Sequence, residues 1–245
     1  MKSTKAGGRR SRGPGPWIAR LFWLGLICWL ISSARSGFHF TDGIWRWLNT
    51  RSLDGLPVLC RTTWKAGPVK GVPEKMASPR RITVHHSAGK AFDDPSADAA
   101  AKVIRAIQQD HQQRGWCDIG YHYIIDRAGR VWEGRPASQT GAHAGSLSMN
   151  QANLGIVVLG NFDLQAPAKA QLATLQRLLG ILCRRHGIRR SEVRGHGEVR
   201  RKEGAGDTEC PGRLLAAWVE GFRRGRKGTT VAGSRSVLSA AAVKP

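Results

Sequence analysis

Between residues 81 and 222 the apolar positions alternate between two spacings, and the alternation predicts the elements. Ile82 to His86 is a β-branched run ending in polar residues, which predicts a strand delivering its last side chains to a sheet edge. Asp94 to His111 places Ala100, Val103, Ile104 and Ile107 on one helical face, with Asp94 as cap and Pro95 in the first turn. His111 continues that face, as a core histidine does. Gly115 to Gly120 breaks the helix, Tyr121 to Ile125 predicts a second strand, and Arg127-Ala-Gly129 turns it into Val131 to Glu133. Leu154 to Leu159 is apolar without alternation, as expected of a central strand covered on both faces. Ala168 to His186 repeats Leu172, Leu175, Leu179 and Leu182 at three and four and stops at Gly187. Leu214 to Phe222 is a last short helix facing inward through Leu214, Leu215, Trp218 and Phe222. Strands alternating with helices predict an α/β fold, a central mixed β-sheet flanked by helices in one domain behind an N-terminal hydrophobic segment. The order of strands in that sheet does not follow from the pattern.

The flanks read differently. After a basic lead with Arg9, Arg10 and Arg12, Trp17 to Ala34 holds an unbroken apolar run from Leu21 to Ile31. Its length suits a signal-peptide core or, with Arg20 reaching back to the headgroups, a short signal anchor. Ser32-Ser33-Ala34 offers a cleavage site, whereas Trp17, Trp23 and Trp29 favour a retained helix. Phe38 to Gly55 carries an aromatic stripe at helical spacing, suited to a membrane surface or to packing on the domain. Pro68 to Pro79 reads as a loop. The expected boundaries are therefore 1–36 for the leader, 37–58 for an amphipathic linker, 59–222 for the domain and 223–245 for a basic, disordered tail.

The chain has 245 residues and a formal net charge of +22, but the charge is unevenly spread. Residues 1–36 and 223–245 hold thirteen of the 39 bases and no acid, leaving the centre at +9. Such runs attract anionic lipid, wall polymer or nucleic acid without selectivity. A specific nucleic-acid function is disfavoured, because the charge lies in tails and the leader exports the domain.

The candidate chemistry lies in polar loops. Arg194 to Gly212 is a glycine-rich stretch holding His196 and Cys210, and His85 sits at the end of the first strand. A loop histidine is ordinarily solvated and a lone cysteine ordinarily buried as a small hydrophobe. Two imidazoles and a thiolate together are the donor set of a catalytic zinc site, whose fourth position is kept for water. Adjacent strand residues face opposite ways, so His85 and His86 cannot both point at one metal. Of the remaining cysteines, Cys28 lies in the leader and Cys183 on a helix's apolar stripe, which leaves open a pairing of Cys60 with Cys117.

Six blocks in order carry a resemblance: Val84-His-His-Ser-Ala88, Arg114-Gly-Trp-Cys-Asp-Ile-Gly-Tyr-His-Tyr123, Gly141-Ala-His-Ala144, Leu154-Gly-Ile-Val-Val-Leu-Gly160, Gly195-His196 and Asp207-Thr-Glu-Cys-Pro-Gly212. From Leu59 to Phe222 the chain resembles the zinc-dependent N-acetylmuramoyl-L-alanine amidases, most of all the peptidoglycan recognition proteins and amidase-type phage lysozymes. The resemblance implies Zn²⁺ held by His85, His196 and Cys210, with Tyr121 beside the metal's water and Thr208 at a position that is Lys or Thr in related amidases. It also implies that His143 lines the substrate groove; Asn153 is read with it as a substrate-side residue that ties down the loop before its strand. Arg61-Thr-Thr-Trp64 resembles a lead-in that packs at the domain's edge. Arg200 to Gly206 is an enlargement where the family passes quickly from histidine to cysteine.

The expected function is hydrolysis of the amide between N-acetylmuramic acid and L-alanine of peptidoglycan. The alternative is a peptidoglycan-binding receptor module without catalysis, against which the retained Cys210 argues. Peptidoglycan or muropeptides are the expected partners, with the membrane contacted through the N-terminal segment, and a monomer is expected. Location would be the cell envelope, anchored or secreted according to the fate of the leader.

Overall fold

In the computed structural model, which describes residues 48–225, seven strands form one mixed sheet. They are β1 (Thr50–Leu53), β2 (Leu56–Leu59), β3 (Arg81–His86), β4 (Tyr123–Ile125), β5 (Val131–Glu133), β6 (Asn153–Val158) and β7 (Val193–Gly195). Their order is β1-β2-β5-β4-β6-β3-β7. β4, β6, β3 and β7 run parallel, β5 is antiparallel to β4 and parallel to β2, and β1 closes the edge antiparallel to β2. The helices are α1 (Ala97–Gln113), α2 (Leu147–Asn150), α3 (Lys169–His186), α4 (His196–Lys202) and α5 (Arg213–Arg223). The α/β class and mixed sheet expected from the pattern are present.

β6 shows how the apolar run divides between two cores. Leu154, Ile156 and Val158 join Ile82 and Val84 in the cluster beneath α3 and α5. Val157 and Leu159 face the other way, into the cluster with Ile104 of α1, Ile124 and Trp132. A strand buried on both faces needs no polar alternation, and all six residues of β6 are buried.

Several boundaries differ from the sequence expectation. α1 begins at Ala97, not Asp94: Ser96 is the cap, its Oγ accepting from Ala99 N, while Asp94 accepts from Ser96 N just ahead of it. Two nearby residues competed for one capping role, and Pro95 precedes the helix. β4 starts at Tyr123, so Tyr121 and His122 stand in the approach to the strand. β1 and β2 fall partly inside the segment 37–58 read as an amphipathic linker. Asp54 and Gly55, both at positive φ, make a two-residue hairpin turn there. The aromatic stripe upstream masked this Asp-Gly signal. Residues 194–212, read as loop, contain α4, whose basic last turn complements the helix dipole and whose Val199 packs on Ala144 and Met149.

Arg61 to Trp64 forms a single 3-10 turn. Its Trp64 is fully buried against α1, donates Nε1–H to Glu133 O at 2.8 Å and lies under the Arg61 guanidinium. Arg61 also pairs with the buried carboxylate of Asp118, which fixes the loop leading to Tyr121. Trp64 is the one buried residue of this segment, and Thr62 is exposed. Cys60 and Cys117 are free thiols, as are Cys183 and Cys210. No helix among the described residues is long and apolar enough to cross a membrane. The leader Trp17–Ala34, the aromatic stripe through Trp47 and the tail beyond Gly225 lie outside the described residues.

Replacing Trp64 by Ala removes a large buried side chain and leaves the Glu133 carbonyl without its donor. Urea denaturation should register a loss of about 3–5 kcal/mol.

Candidate metal centre and its surroundings

The register of three parallel strands assembles the site. Val84 of β3 is level with Gly195 of β7, so the next residues, His85 and His196, emerge side by side. Their rings lie 4.6 Å apart between centroids. His85 is buried on the α1 side of the sheet, the face that Val157 shares. His86, on the opposite side, accepts a hydrogen bond from Phe162 N at 3.3 Å and is structural.

Cys210 arrives on the segment after α4. Gly197 donates its N–H to Cys210 O at 2.7 Å, and a Cβ at Gly197 would meet Thr208 O at 2.6 Å. Gly195 likewise leaves room for Pro211. These glycines supply space, letting the cysteine segment lie against the start of α4. Cys210 Sγ then sits 3.6 Å from His85 Nδ1. One ligand atom from each of His85, His196 and Cys210 lies within 4.8 Å of the others.

The donor set and its hydrogen bonding fit a zinc ion. Tetrahedral ligands at zinc distances stand about 3.5 Å from one another, the spacing of the His85–Cys210 pair. His196 Nε2 is buried with no hydrogen-bond partner in the protein. Its other nitrogen donates to the Ala144 carbonyl, which leaves Nε2 with an uncommitted lone pair. An orphaned buried acceptor is costly unless something electrophilic meets it.

Electrostatics agree with that fit. Burial, then repulsion from His143 and His196, holds His85 well below its ordinary pKa. His196 is lowered to about 4 by burial and the nearby Arg200. Both imidazoles are therefore neutral ligands at pH 7. The Cys210 thiol is pushed up to about 12 by burial, only partly offset by a hydrogen bond from the His86 backbone. A bound divalent cation reverses that cost, because a coordinating thiol is deprotonated.

Around the cluster, Tyr121 has its ring centroid 5.0 Å from that of His85, and burial followed by Cys210 raises its phenol above the ordinary pKa. It stays a protonated donor. Thr208 Oγ1 accepts from Cys210 N at 3.3 Å, so its own hydrogen is left to donate. A cleft of about 1250 Å³ runs past Thr208 and Cys210 between α4 and α5 but touches neither His85 nor Tyr121. It is not the space above the cluster.

His143 and Asn153, expected on the substrate side, are both buried. Asn153 is fully buried, its Oδ1 accepting from Thr83 and its Nδ2 donating to Met149 O. His143 is 6% exposed and has both ring nitrogens engaged, one by His85 Nε2 at 3.1 Å and one by Asn153 O at 3.1 Å. His111 is a core residue that accepts from Gly120 N. His122 accepts from Gly155 N and donates to Gln139 O. Two contributors went unread in the sequence. Asn150 Oδ1 accepts from the N–H groups of both His143 and Ala144 at 2.9 Å, and Gly155 leaves the space in which His143 lies. A glycine within an otherwise apolar strand is the available signal for the second; Asn150 has none. Arg200, in the enlarged segment, folds back onto Ala205 O, beside Gly145.

The family model described as N-acetylmuramoyl-L-alanine amidase matches residues 75–213, more than half of the chain. The peptidoglycan-recognition protein SD of Drosophila simulans is 37% identical over 126 residues, 51% of this chain and 66% of that protein. A human N-acetylmuramoyl-L-alanine amidase is 32% identical over 171 residues, 68% of this chain but 28% of that longer protein. Among solved structures, a mutant of Drosophila PGRP-LB in complex with tracheal cytotoxin is 30% identical with a TM-score of 0.58, over 67% of this chain and 94% of that one. The matched span contains β3, β6, β7, both histidines and Cys210, and on that ground the chain belongs to the N-acetylmuramoyl-L-alanine amidase family, which its peptidoglycan recognition relatives share.

Proposed function

We propose that this chain is a zinc-dependent hydrolase of the amide between N-acetylmuramic acid and the L-alanine of the peptidoglycan stem peptide. The observation that carries the reading is the convergence of one donor atom each from His85, His196 and Cys210, together with a buried His196 Nε2 that has no protein partner. A receptor that only binds has no need of a buried acceptor without a partner. The family match supports the bond cleaved, and the tracheal cytotoxin bound to the PGRP-LB relative supports a muropeptide as the ligand.

His85, His196 and Cys210 hold the metal, which when bound supplies a water of lowered pKa and a Lewis acid for the carbonyl. Tyr121, kept protonated by burial, is the donor positioned to orient that water or to meet the negative charge developing on the carbonyl oxygen. Thr208 offers a second, weaker donor beside Cys210. The activity belongs at the cell envelope, reached through the leader as a retained anchor or as a cleaved signal.

Peptidoglycan digested with the full chain should release stem peptides beginning with L-alanine, detected by mass spectrometry, and a chelator should abolish release. Zinc bound without any release would instead establish the receptor reading. Cys210→Ser should lose zinc and peptide release together, whereas Tyr121→Phe should keep its zinc and lose about 10²-fold in kcat. The protonation states give a third expectation. Both imidazoles have lowered pKa values and are already neutral at pH 7, while the thiol, raised to about 12, still carries its proton. Zinc binding should therefore release about one proton at pH 7, and affinity should rise about tenfold per pH unit from pH 6 to 8, by calorimetry in buffers of different ionisation enthalpy.

A further inference from the structure

We propose that His143 is a positioning residue of the metal centre, which fixes the tautomer and the plane of His85 so that Nδ1, and not Nε2, is the nitrogen presented to the metal. The inference rests on reading His85, His196 and Cys210 as a metal site. It assigns His143 a role that substrate contact does not describe.

The direction of each hydrogen bond follows from one fact. The carbonyl of Asn153 has no proton to give, so the His143 nitrogen that meets it at 3.1 Å, Nε2, carries the hydrogen. His143 is buried, and its two ring nitrogens meet only the Asn153 carbonyl and the His85 ring, with no carboxylate to hold a second proton. Its Nδ1 is therefore an acceptor. The nitrogen facing that acceptor at 3.1 Å is His85 Nε2, which must then carry the hydrogen of its own ring. His85 is buried with no carboxylate on either nitrogen, so its lone pair is on Nδ1, the atom 3.6 Å from Cys210 Sγ. A main-chain oxygen of β6 thus selects the tautomer of a ligand two rings away.

The His143 ring lies in space that two glycines leave open. A Cβ built on Gly155 would come within 2.5 Å of His143 Cδ2, and one on Gly141 within 2.6 Å. Neither glycine is at positive φ, so the space, and not the backbone conformation, is what each contributes. The segment that carries the ring is pinned by Asn150, whose Oδ1 binds the His143 and Ala144 N–H groups and whose Nδ2 donates to Ser146 O. The same segment directs the other imidazole through the Ala144 carbonyl. With both ring nitrogens engaged and 6% exposure, His143 has no polar atom left for a substrate.

The test has a readout that needs neither catalysis nor metal. Long-range ¹H–¹⁵N spectra of the metal-free full chain should show His85 in the Nε2–H tautomer; an Nδ1–H tautomer overturns the inference. Zinc competition against a fluorescent chelator supplies the second arm. His143→Leu, which can neither accept nor donate, should bind zinc about 10- to 100-fold more weakly than the unaltered chain. His143→Asn, whose Oδ1 falls where Nδ1 was and keeps the acceptor, should bind more tightly than the leucine variant. Gly155→Ala should weaken zinc binding with every ligand intact, by displacing the ring. Leucine-variant affinity within twofold of the unaltered chain, or asparagine no better than leucine, also overturns it. If a variant does not fold, the tautomer of the unaltered protein decides. Failure of the unaltered chain to bind zinc would count against the metal reading, a result distinct from a wrong tautomer.

Discussion

The parallel pairing of β3 with β6 on one side and β7 on the other is the constraint on which the site depends. Register across β3 and β7 sets Val84 level with Gly195, so the residues that follow emerge as neighbours on one face. Register across β3 and β6 sets His85 level with Val157 and Thr83 level with Gly155. That puts the glycine beneath the ring of His143 and the Thr83 hydroxyl on the Asn153 carboxamide. A slip of one residue in β3 would turn His86 toward the cluster and His85 into the core under α3 and α5. The apolar alternation of β3 forbids that slip, because Ile82 and Val84 would leave the core with it.

The site is built from groups that are neutral without a metal. Burying charged ligands would cost several kcal/mol each, and burial holds both imidazoles deprotonated and the thiol protonated. The geometry is thereby assembled in advance at the cost of one orphaned nitrogen. What keeps neutral imidazoles correctly oriented is hydrogen bonding to the main chain: His196 reaches the Ala144 carbonyl directly and His85 reaches that of Asn153 through His143. Main-chain atoms are positioned by the sheet and by the pinned 141–150 segment, so the ligands inherit the rigidity of the core. Glycines at 141, 155, 195 and 197 matter for close approach, and at none of these is a left-handed backbone involved.

Most of the fold was legible in the pattern of apolar residues. The spacing in α3 and α5, the continuous run of β6, the turn at Gly129 and the stop at Gly187 are local signals, and each element stands close to its expected bounds. The misplaced features have local competitors. Ser96 and Asp94 both offer a capping oxygen; the aromatic stripe before residue 48 overlies the weaker signal of Asp54-Gly55; and α4 has a single core residue, Val199, too few to show a period.

The sequence by itself determined the class of fold, the elements and, through blocks that resemble a family, which three residues, His85, His196 and Cys210, to look for together. Tertiary structure decided the order of the strands, the hydrogen bonds that join His85, His143 and Asn153, and the burial of His143 and Asn153. The division has a physical reason. Periodicity and capping are properties of neighbouring residues, and residue types carry them. The direction of a hydrogen bond between side chains 58 positions apart, such as His85 and His143, depends on strand register and on which partner is a carbonyl without a proton. No residue type encodes that before the chain has folded.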